Sequence, residues 1–400
     1  MGPRVHSPPL AWSHGSKAAT GTAGDDSIAV LADPPPRARV EGIVAPLAIF
    51  AAAAVCHVVA IWPTSRDHHL AISALLMRWD SGWYVALAKH GYPHHLPPVG
   101  HMQSTAGFYP LYPLLERLAM HVTPFGDHVI ALGIAMVSSA LAMIVLWHLT
   151  ARLCDTSTAT RAVALTAFAP GAIVLSMGYS EGLMILFATL TLLLLLDERW
   201  ALAGVCAALA CLARPSGIAA AAACLVAAIV AVRADRRDLR PLVAPALAAL
   251  GAIALPLYDQ VHIHDALAYY KTQKHGWGQG FDGGISTLRN FWHFAHHPFR
   301  DFNQFFAVLA LAVLVGGIVL LVQWRPPAPV LAYAIVIAVL TLGASEFVST
   351  FRMILVGIPF TIAYARVLKR SDVFAVTLAV SAVLFATLAT AAATATLYTP

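Results

Sequence analysis

Charged residues are scarce in this chain. They account for 11% of its 400 residues, whereas hydrophobic residues account for 59%. A soluble globular domain carries roughly 25% charged residues. So few charges exclude an ordinary soluble domain, and the composition predicts a protein that crosses a membrane many times.

Cysteine is also scarce, and the number of cysteines is odd: Cys56, Cys154, Cys206, Cys211 and Cys224. A disulfide framework and a zinc site are therefore not expected. The chain lacks an HExxH helix, and its glycine run at 276–284 has no strand–helix–strand context for a dinucleotide fingerprint. No soluble nucleotide-binding domain is predicted.

The first forty residues lack the apolar core of a signal peptide. They contain much Gly, Ser, Pro and Ala with scattered charges, a composition typical of disorder. We therefore expect residues 1–40 to form a disordered cytoplasmic tail and residues 41–400 to form one transmembrane domain.

Long apolar runs fill most of the remaining sequence. A helix needs about 20 residues to cross about 30 Å of hydrocarbon. This rule predicts an all-α polytopic membrane protein with about eleven transmembrane helices, the fifth being short enough for a partial span. The predicted segments lie at about 41–62, 128–151, 160–177, 181–197, 199–213, 216–233, 241–258, 304–323, 328–346, 351–367 and 373–396.

Lysine and arginine indicate the orientation of a membrane protein, because they are enriched in its cytoplasmic loops. With the N-terminus inside, the inner segments hold 15 of the 25 Lys and Arg residues and the outer segments hold 10, while the 20 acids divide evenly. The net charge of +5 is then cytoplasmic and suits anionic inner-leaflet lipid rather than nucleic acid. We therefore expect a multi-pass protein of the cell membrane with a near-neutral outer face.

Two connections are much longer than the others, residues 63–127 and 259–303, and both fall on the outer face in this arrangement. Long ordered loops in a compact protein are usually functional. Many of the chain's His, Trp and Tyr residues lie in them. We expect the active site on this extracytoplasmic face.

The first outer loop contains RWDSGWYVALAKHGY, residues 78–92, within a segment whose pattern predicts a helix. Asp80 and Tyr84 are four residues apart and share one helix face, and Trp79 and Trp83 share a neighbouring face. Trp and Tyr are enriched at membrane interfaces, so the pattern favours an interfacial helix.

Asp80 is the candidate general base of this loop. Aromatic faces bind sugars, and a nearby carboxylate can accept a hydroxyl proton that lies within hydrogen-bond reach. The alternative is that the aromatic residues only anchor the loop, and that Asp80 pairs with Arg78 or Lys89 or caps the helix.

Four segments carry a family resemblance over about residues 75–218: WDSGWYVALAKHGY, FYPLYPLL, SMGYSEGLMILFATLTLLLLL and LARPSG. A weaker echo follows at SEFVSTFRMILVGIPFTIAYA. In this order the segments resemble the PIG-V-like mannosyltransferases of the GT-C superfamily. The resemblance implies an enzyme that moves a sugar, typically mannose, from a polyprenyl-phosphate carrier to a hydroxyl of a glycolipid or other glycan acceptor. It also implies transfer on the outer leaflet, with inversion at the anomeric carbon.

The same resemblance implies roles for individual residues. The acid that commonly serves as base in the first outer loop of such enzymes matches Asp80. Lys89 stands where relatives often carry an acid before His90. Relatives also carry a Gln and a Trp in a loop comparable to the one that holds Gln273 and Trp277.

Two arginines are candidates for holding the carrier phosphate. Arg352, in STFRMILVGIP, lies at an outer helix start and has the forked geometry that suits phosphate, although it would also reach lipid headgroups. Arg214, in CLARPSG, lies between two apolar runs, where a charge normally faces a cavity or a partner. Glu181, in GYSEG, is predicted to pair with Arg214; the alternative is a helix-start carboxylate with Ser180 as cap.

The second outer loop contributes YYKTQKHGWGQGFDGG, residues 269–284, whose lysines are candidates for reaching a phosphate. Its glycines favour a mobile lid, with a plain flexible loop as the alternative. Asp80 is the predicted catalytic residue. The predicted substrate-binding residues are Arg78, Trp79, Trp83, Tyr84, His90, Tyr109, Glu181, Arg214, Lys271, Gln273, Lys274, Trp277 and Arg352.

Outer-loop histidines at 94–95, 262–264 and 296–297 raise the question of a metal site. Adjacent loop histidines rarely converge on one ion, so no metal ligand is predicted, and a divalent cation bridging carrier phosphate and Asp80 is the less favoured alternative. The expected partners are the polyprenyl-phosphate sugar, a lipid-linked or glycan acceptor and membrane lipid. Two rival functions are a GT-C enzyme that uses arabinose or glucose, and a lipid or solute transporter, although the sequence shows no transporter-like repeat.

Overall fold

The computed structural model of the chain describes residues 36–298, 302–345 and 349–394, and this part is built from helices. Its sole extended pairing in that part is an isolated bridge between Phe281 and Ala344. The predicted all-α membrane fold is confirmed. The α-helices are α1 (Pro36–Asp67), α2 (Ile72–Leu76), α3 (Asp80–His90), α4 (Leu111–Val122), α5 (Asp127–Leu153), α6 (Thr156–Ala167), α7 (Glu181–Leu196), α8 (Trp200–Ala213), α9 (Ile218–Ala234), α10 (Val243–His262), α11 (Ala268–Gly276), α12 (Ile285–His296), α13 (Phe302–Trp324), α14 (Ala328–Gly343), α15 (Thr350–Leu355), α16 (Ile358–Val367) and α17 (Ser371–Thr394).

The described helices include six that are long and apolar enough to span a membrane, or seven if one bent pair counts as a single span. Three shorter apolar helices, α7, α8 and α14, lie among them. Each of the eleven predicted segments overlaps a helix, but the count of eleven spans is not confirmed. The predicted tail over 1–40 lies outside the described residues except for its last five, which begin α1.

Two of the predicted spans are broken near prolines. The segment predicted over 160–177 bends by 82° between α6 and a 3₁₀ helix at Pro170–Ser176. The residue before Pro170 takes an extended conformation, as steric contact with a following proline favours. The segment predicted over 351–367 divides into α15 and α16 at Gly357.

The two broken spans meet each other. The 3₁₀ helix packs against α15, and a Cβ at Gly171 would lie 2.4 Å from the carbonyl oxygen of Phe351 and 2.9 Å from the backbone nitrogen of Arg352. A side chain at position 171 would therefore push α15 away. Glycine at this position lets α15 approach and sets where Arg352 stands.

The helix predicted around residues 78–92 is two helices rather than one. α2 ends at Leu76 and α3 begins at Asp80, with Trp79 between them at a backbone φ of +63°. Arg78 and the Trp79 indole N–H donate hydrogen bonds to the carbonyls of Ala393 and Ala392, in the last turn of α17. The last carbonyls of a helix have no intrahelical donor, so these contacts satisfy them and fix the break.

Helices α8 and α10 pack through small residues. A Cβ at Gly251 of α10 would lie 2.4 Å from the Cα of Ala208, and one at Gly204 of α8 would lie 2.7 Å from the carbonyl oxygen of Ala244. Small residues let helix backbones approach closely, and this close packing is a main source of association between membrane helices. α8 ends just before Arg214 and α10 leads into α11, so this contact positions both.

We expect Gly251→Ala to destabilise the protein by about 1–3 kcal/mol, because the backbone of α8 has to move to admit the methyl group. Gly133→Ala is the matched control in α5, since an added Cβ there meets nothing within 4 Å. That control should be neutral or stabilising by up to about 1 kcal/mol, because glycine weakens helix interiors. Thermal unfolding of both variants in detergent checks the contrast. Equal midpoints would contradict the close packing.

Candidate active site

Four charged side chains form an alternating chain at the end of the bundle that carries the two long loops. Asp80 Oδ2 lies 2.9 Å from Arg352 Nη1, and Arg352 Nε lies 3.4 Å from Glu181 Oε1. The same Glu181 oxygen lies 2.7 Å from Arg214 Nη1. The predicted pair of Glu181 and Arg214 is therefore present, and it belongs to a larger group of two acids and two bases.

The two carboxylates differ in their access to substrate. The Glu181 side chain is 1% exposed and is held between two guanidiniums, whereas the Asp80 side chain is 26% exposed and faces a cavity. A buried carboxylate between two arginines balances their charge. Asp80 is therefore the acid of this group that can be reached from the cavity.

Residues around the charged chain hold it by hydrogen bonds. The backbone N–H of Asp80 donates to the Tyr179 hydroxyl at 3.2 Å, and the Arg352 guanidinium lies 5.7 Å from the Tyr179 ring centre. Ser180 Oγ lies 2.8 Å from the Tyr84 hydroxyl and accepts a hydrogen bond from Arg214 at 3.3 Å.

Sequence reasoning missed Tyr179 and treated Ser180 only as a cap, although both lie in the GYSEG motif that yielded Glu181.

The tyrosines at the site remain protonated at physiological pH. Burial raises the pKa of Tyr84 and of Tyr179 well above the ordinary value, and the Asp80 carboxylate adds to both shifts. Burial also raises the pKa of Tyr269 to about 12. These hydroxyls therefore serve as hydrogen-bonding groups.

A polar chamber of about 450 Å³ lies over Asp80 and the two arginines. This size is within the range of about 300–1,000 Å³ that is usual for small-molecule sites. Trp83 stacks on Phe108 at 6.0 Å and meets Trp277 edge-on at 5.5 Å, which builds an aromatic wall. Aromatic faces beside a carboxylate suit a sugar ring.

An apolar cavity of about 350 Å³ adjoins the polar chamber. Ile337, Leu340 and Val356 from α14 and the α15 end line it, together with Phe281. Both arginines line the polar chamber and the apolar cavity. The seven residues that line both spaces are Arg214, Pro215, Tyr269, Gln273, Gln279, Ser349 and Arg352. Positive charge therefore stands at the junction between a polar and an apolar compartment.

The second long loop closes the chamber from the other side. Gln273 Nε2 donates to the Gly107 carbonyl at 2.7 Å, and a Cβ at Gly107 would lie 2.7 Å from the Trp277 ring. The segment that follows is bonded to the end of α14, because Ser345 N–H donates to the Gly280 carbonyl at 2.8 Å and Asp282 N–H donates to the Gly343 carbonyl at 2.9 Å. The loop is thus anchored at both ends of the site.

Most of the predicted site residues meet here. Those lining the polar chamber are Trp79, Asp80, Trp83, Tyr84, Tyr109, Arg214, Gln273, Trp277 and Arg352. Glu181 lies behind them and lines the apolar cavity. Residues of the chamber that sequence reasoning did not select include Phe108, Tyr269 and Gln279.

The other four predicted residues lie elsewhere. Arg78 donates a hydrogen bond to a backbone carbonyl at the end of α17. His90 is exposed at the last turn of α3. Lys271 pairs with Asp265 at 2.5 Å, and Lys274 is exposed to solvent. None of the four lines either cavity.

The alternative in which Asp80 pairs with Arg78 or Lys89 is wrong. Arg78 bonds to a backbone carbonyl, and Lys89 pairs with Asp127. The partner of Asp80 is Arg352, which is 272 residues away in the sequence. In the described part of the chain, no group of three or more His, Cys, Asp or Glu side chains is placed to hold a metal ion.

Comparison with solved structures finds alignments to an archaeal protein. The oligosaccharyltransferase of Archaeoglobus fulgidus in its apo form aligns with a TM-score of 0.49 and 14% identity, over 86% of this chain and 56% of that one. The same protein tethered to an acceptor peptide aligns with a TM-score of 0.46 and 14% identity, over 87% of this chain and 55% of that one. The chain thus spans just over half the length of that protein. A search among curated proteins found no match.

A family model gives the identification. The model described as mannosyltransferase (PIG-V) matches residues 65–277, which is more than half of the chain. The matched region includes Asp80, Glu181, Arg214 and the Gln273–Trp277 segment. The chain therefore belongs to the PIG-V mannosyltransferase family.

Proposed function

We propose that this protein is an inverting mannosyltransferase that moves mannose from polyprenyl-phosphate-mannose to a hydroxyl of a lipid-linked or extracellular glycan acceptor. One observation carries the proposal. The aromatic-walled chamber that contains Asp80 adjoins an apolar cavity, and two guanidiniums stand at the junction. A sugar linked through phosphate to a hydrocarbon chain has the same order of chemical groups.

The donor fits these compartments in one direction. Its sugar ring enters the polar chamber against Trp83 and Trp277, and the first isoprene units of its chain enter the apolar cavity. Its phosphate then lies beside Arg214 and Arg352, whose planar guanidiniums make paired hydrogen bonds to phosphate oxygens. Burial of the chain adds about 0.8 kcal/mol for each CH₂ group removed from water.

The reaction needs one base and one stabilised leaving group. The acceptor oxygen attacks the anomeric carbon from the face opposite the phosphate, and its electron pair forms the new glycosidic bond. The pair of the broken carbon–oxygen bond leaves with the polyprenyl phosphate, and the proton of the acceptor hydroxyl passes to the Asp80 carboxylate. Arg214 and Arg352 stabilise the charge that grows on the phosphate.

The ion pair between Asp80 and Arg352 supports an order of binding. Arg352 Nη1 lies 2.9 Å from Asp80 Oδ2. A donor phosphate on Arg352 competes with Asp80 for the same guanidinium, and this competition is strong because both side chains are largely shielded from water. Donor binding therefore makes Asp80 available as a base, and we propose that the donor binds before the acceptor.

We place the reaction on the extracytoplasmic face of the cell membrane. The excess of Lys and Arg in the segments at the opposite end of the bundle supports this orientation. The energy for transfer is already stored in the sugar–phosphate bond, so the protein mainly has to position two substrates and supply the base.

A transfer assay tests the proposal. Purified protein in lipid receives radiolabelled polyprenyl-phosphate-mannose, or in parallel the glucose or arabinose donor, with a membrane extract as the source of acceptor. We expect label to move from the mannose donor into the acceptor fraction with inverted anomeric configuration. If only the glucose or arabinose donor supported transfer, the choice of mannose would be wrong. Movement of intact donor across a vesicle bilayer without transfer would indicate a transporter instead.

A further inference from the structure

Helix α12 lies in the second long loop. Its exposed surface consists of an apolar strip and an adjoining basic strip. Its apolar residues are exposed: Ile285 is 60% exposed, Leu288 72%, Phe291 50% and Trp292 65%. Residues 285, 288 and 292 follow the spacing of one helix face. Large apolar side chains are seldom grouped on a surface that faces water alone.

Basic side chains run along the edge of this apolar strip. Arg289, His293 and His296 are exposed and lie next to the apolar residues on the helix, and residues 285–296 contain no acid. The Trp292 ring lies 4.2 Å from the His296 ring, where the two strips meet. An apolar strip with a Trp, bordered by Arg and His, is the pattern of a helix that lies in a membrane interface.

The opposite side of α12 is attached to the bundle. Thr287 is buried, and its hydroxyl donates to the Leu342 carbonyl at 3.0 Å. Gln304 of α13 donates to the Asn290 carbonyl at 3.3 Å. These contacts fix the rotation of the helix, so its apolar and basic strips point away from the protein.

α12 also stands beside the apolar cavity. Asp282 accepts from the N–H groups of Gly284 and Ser286 at 3.0 and 2.9 Å, which holds the start of the helix. The backbone N–H of Asp282 donates to the Gly343 carbonyl, and the neighbouring residue Phe281 lines the cavity. Leu340 and Thr341, in the turn of α14 that α12 contacts, line it as well.

We propose that α12 is an interfacial helix that lies in the bilayer leaflet on the active-site side. Its apolar strip enters the boundary of the acyl chains, and its basic strip binds anionic lipid headgroups. Because it stands at the side of the apolar cavity, it also marks the lateral entrance for the donor chain. This last part rests on the proposed function, whereas the position in the leaflet does not.

Spin labelling tests the position of the helix. The five native cysteines are replaced by alanine, and single cysteines are introduced as Leu288→Cys or Trp292→Cys in the full chain, reconstituted in phosphatidylcholine with and without phosphatidylglycerol. Labels at both positions should be relaxed more by oxygen, which is concentrated in lipid, than by a water-soluble nickel complex. Lys274→Cys, exposed on α11, is the matched control and should show the opposite preference.

Other results would overturn the proposal. A preference for the nickel complex at both positions would place α12 in water, and labels reached by neither relaxant would place it against a second protein or a second copy. An oxygen preference unchanged by phosphatidylglycerol would remove the role given to the basic strip.

Kinetics test the entrance separately. Leu288→Glu with Trp292→Glu should raise KM for the long-chain donor by about tenfold, because two buried apolar contacts with the leaflet are lost. The value of kcat, and KM for a short-chain donor, should stay within about twofold by the same reasoning. An equal rise in KM for both donors would overturn the entrance role. Absence of transfer by the unmodified protein would refute the proposed function and leave the spin-label result standing.

Discussion

Asp80→Asn is expected to lower kcat by about three orders of magnitude, within the range of about 10²–10⁴ that general-base catalysis contributes. The amide keeps the shape of the carboxylate, so Trp79, Tyr179 and the start of α3 should stay in place. It cannot take the acceptor proton. The loss of turnover should therefore fall on the chemical step, and thermal unfolding measures separately the destabilisation expected when Arg352 loses its charged partner.

Donor affinity separates this role from a structural one. Asparagine carries no charge to compete with phosphate for Arg352, which lies 2.9 Å from the native carboxylate. We therefore expect the donor to bind as tightly as before, or more tightly, while turnover is lost. Single-turnover kinetics with labelled donor and direct measurement of donor binding give the two quantities.

The control for this variant is Asp127→Asn. Asp127 is in the same region of the chain and pairs with Lys89, but it does not line the chamber. Its variant should keep turnover within about twofold, as expected for an exposed ion pair. If Asp80→Asn kept more than about a tenth of wild-type turnover, general-base catalysis by Asp80 would be excluded.

The residue types of the site were predictable from local motifs, whereas their pairing was not. Asp80, Glu181 and Arg214 each stand out as charges in apolar or aromatic surroundings, and such charges are costly unless they have a partner. The link from Asp80 to Arg352 joins the two ends of the chain. It depends on the close approach at Gly171, which no local pattern encodes.

The break before α3 was also beyond local reasoning. The hydrophobic pattern continues through Met77 and Trp79, and a tryptophan with positive φ is rare enough that no propensity predicts it. The carbonyls at the end of α17 stabilise it from a distant part of the sequence. Tertiary contacts here outweigh the local preference for one continuous helix.

The second loop contains a spacing that was already present in the sequence. Tyr269, Gln273 and Trp277 are spaced by four residues, so in a helix they share one face, and all three line the polar chamber. The interpretation of the segment as a glycine-rich lid did not use this four-residue spacing. The lysines at 271 and 274 fall on other faces of α11 and line neither cavity.

Arg352→Gln is expected to lower kcat/KM for the donor by a hundredfold or more, since removing one charge-stabilising donor from an active site costs about 10²–10³. The variant should also be destabilised by about 3 kcal/mol, because it leaves two carboxylates facing one guanidinium in a largely buried group. Glu181 is the residue most affected, at 1% side-chain exposure.

A double variant separates these two effects. Arg352→Gln with Glu181→Gln removes one positive and one negative charge, and the remaining Asp80 carboxylate still attracts the Arg214 guanidinium electrostatically. Much of the lost stability should therefore return, as measured by thermal unfolding in detergent. Donor binding should stay weak, because the guanidinium that meets the phosphate is still missing. Recovery of both stability and transfer in the double variant would show that Arg352 acts only by balancing charge, and the phosphate would then have to be assigned to Arg214 alone.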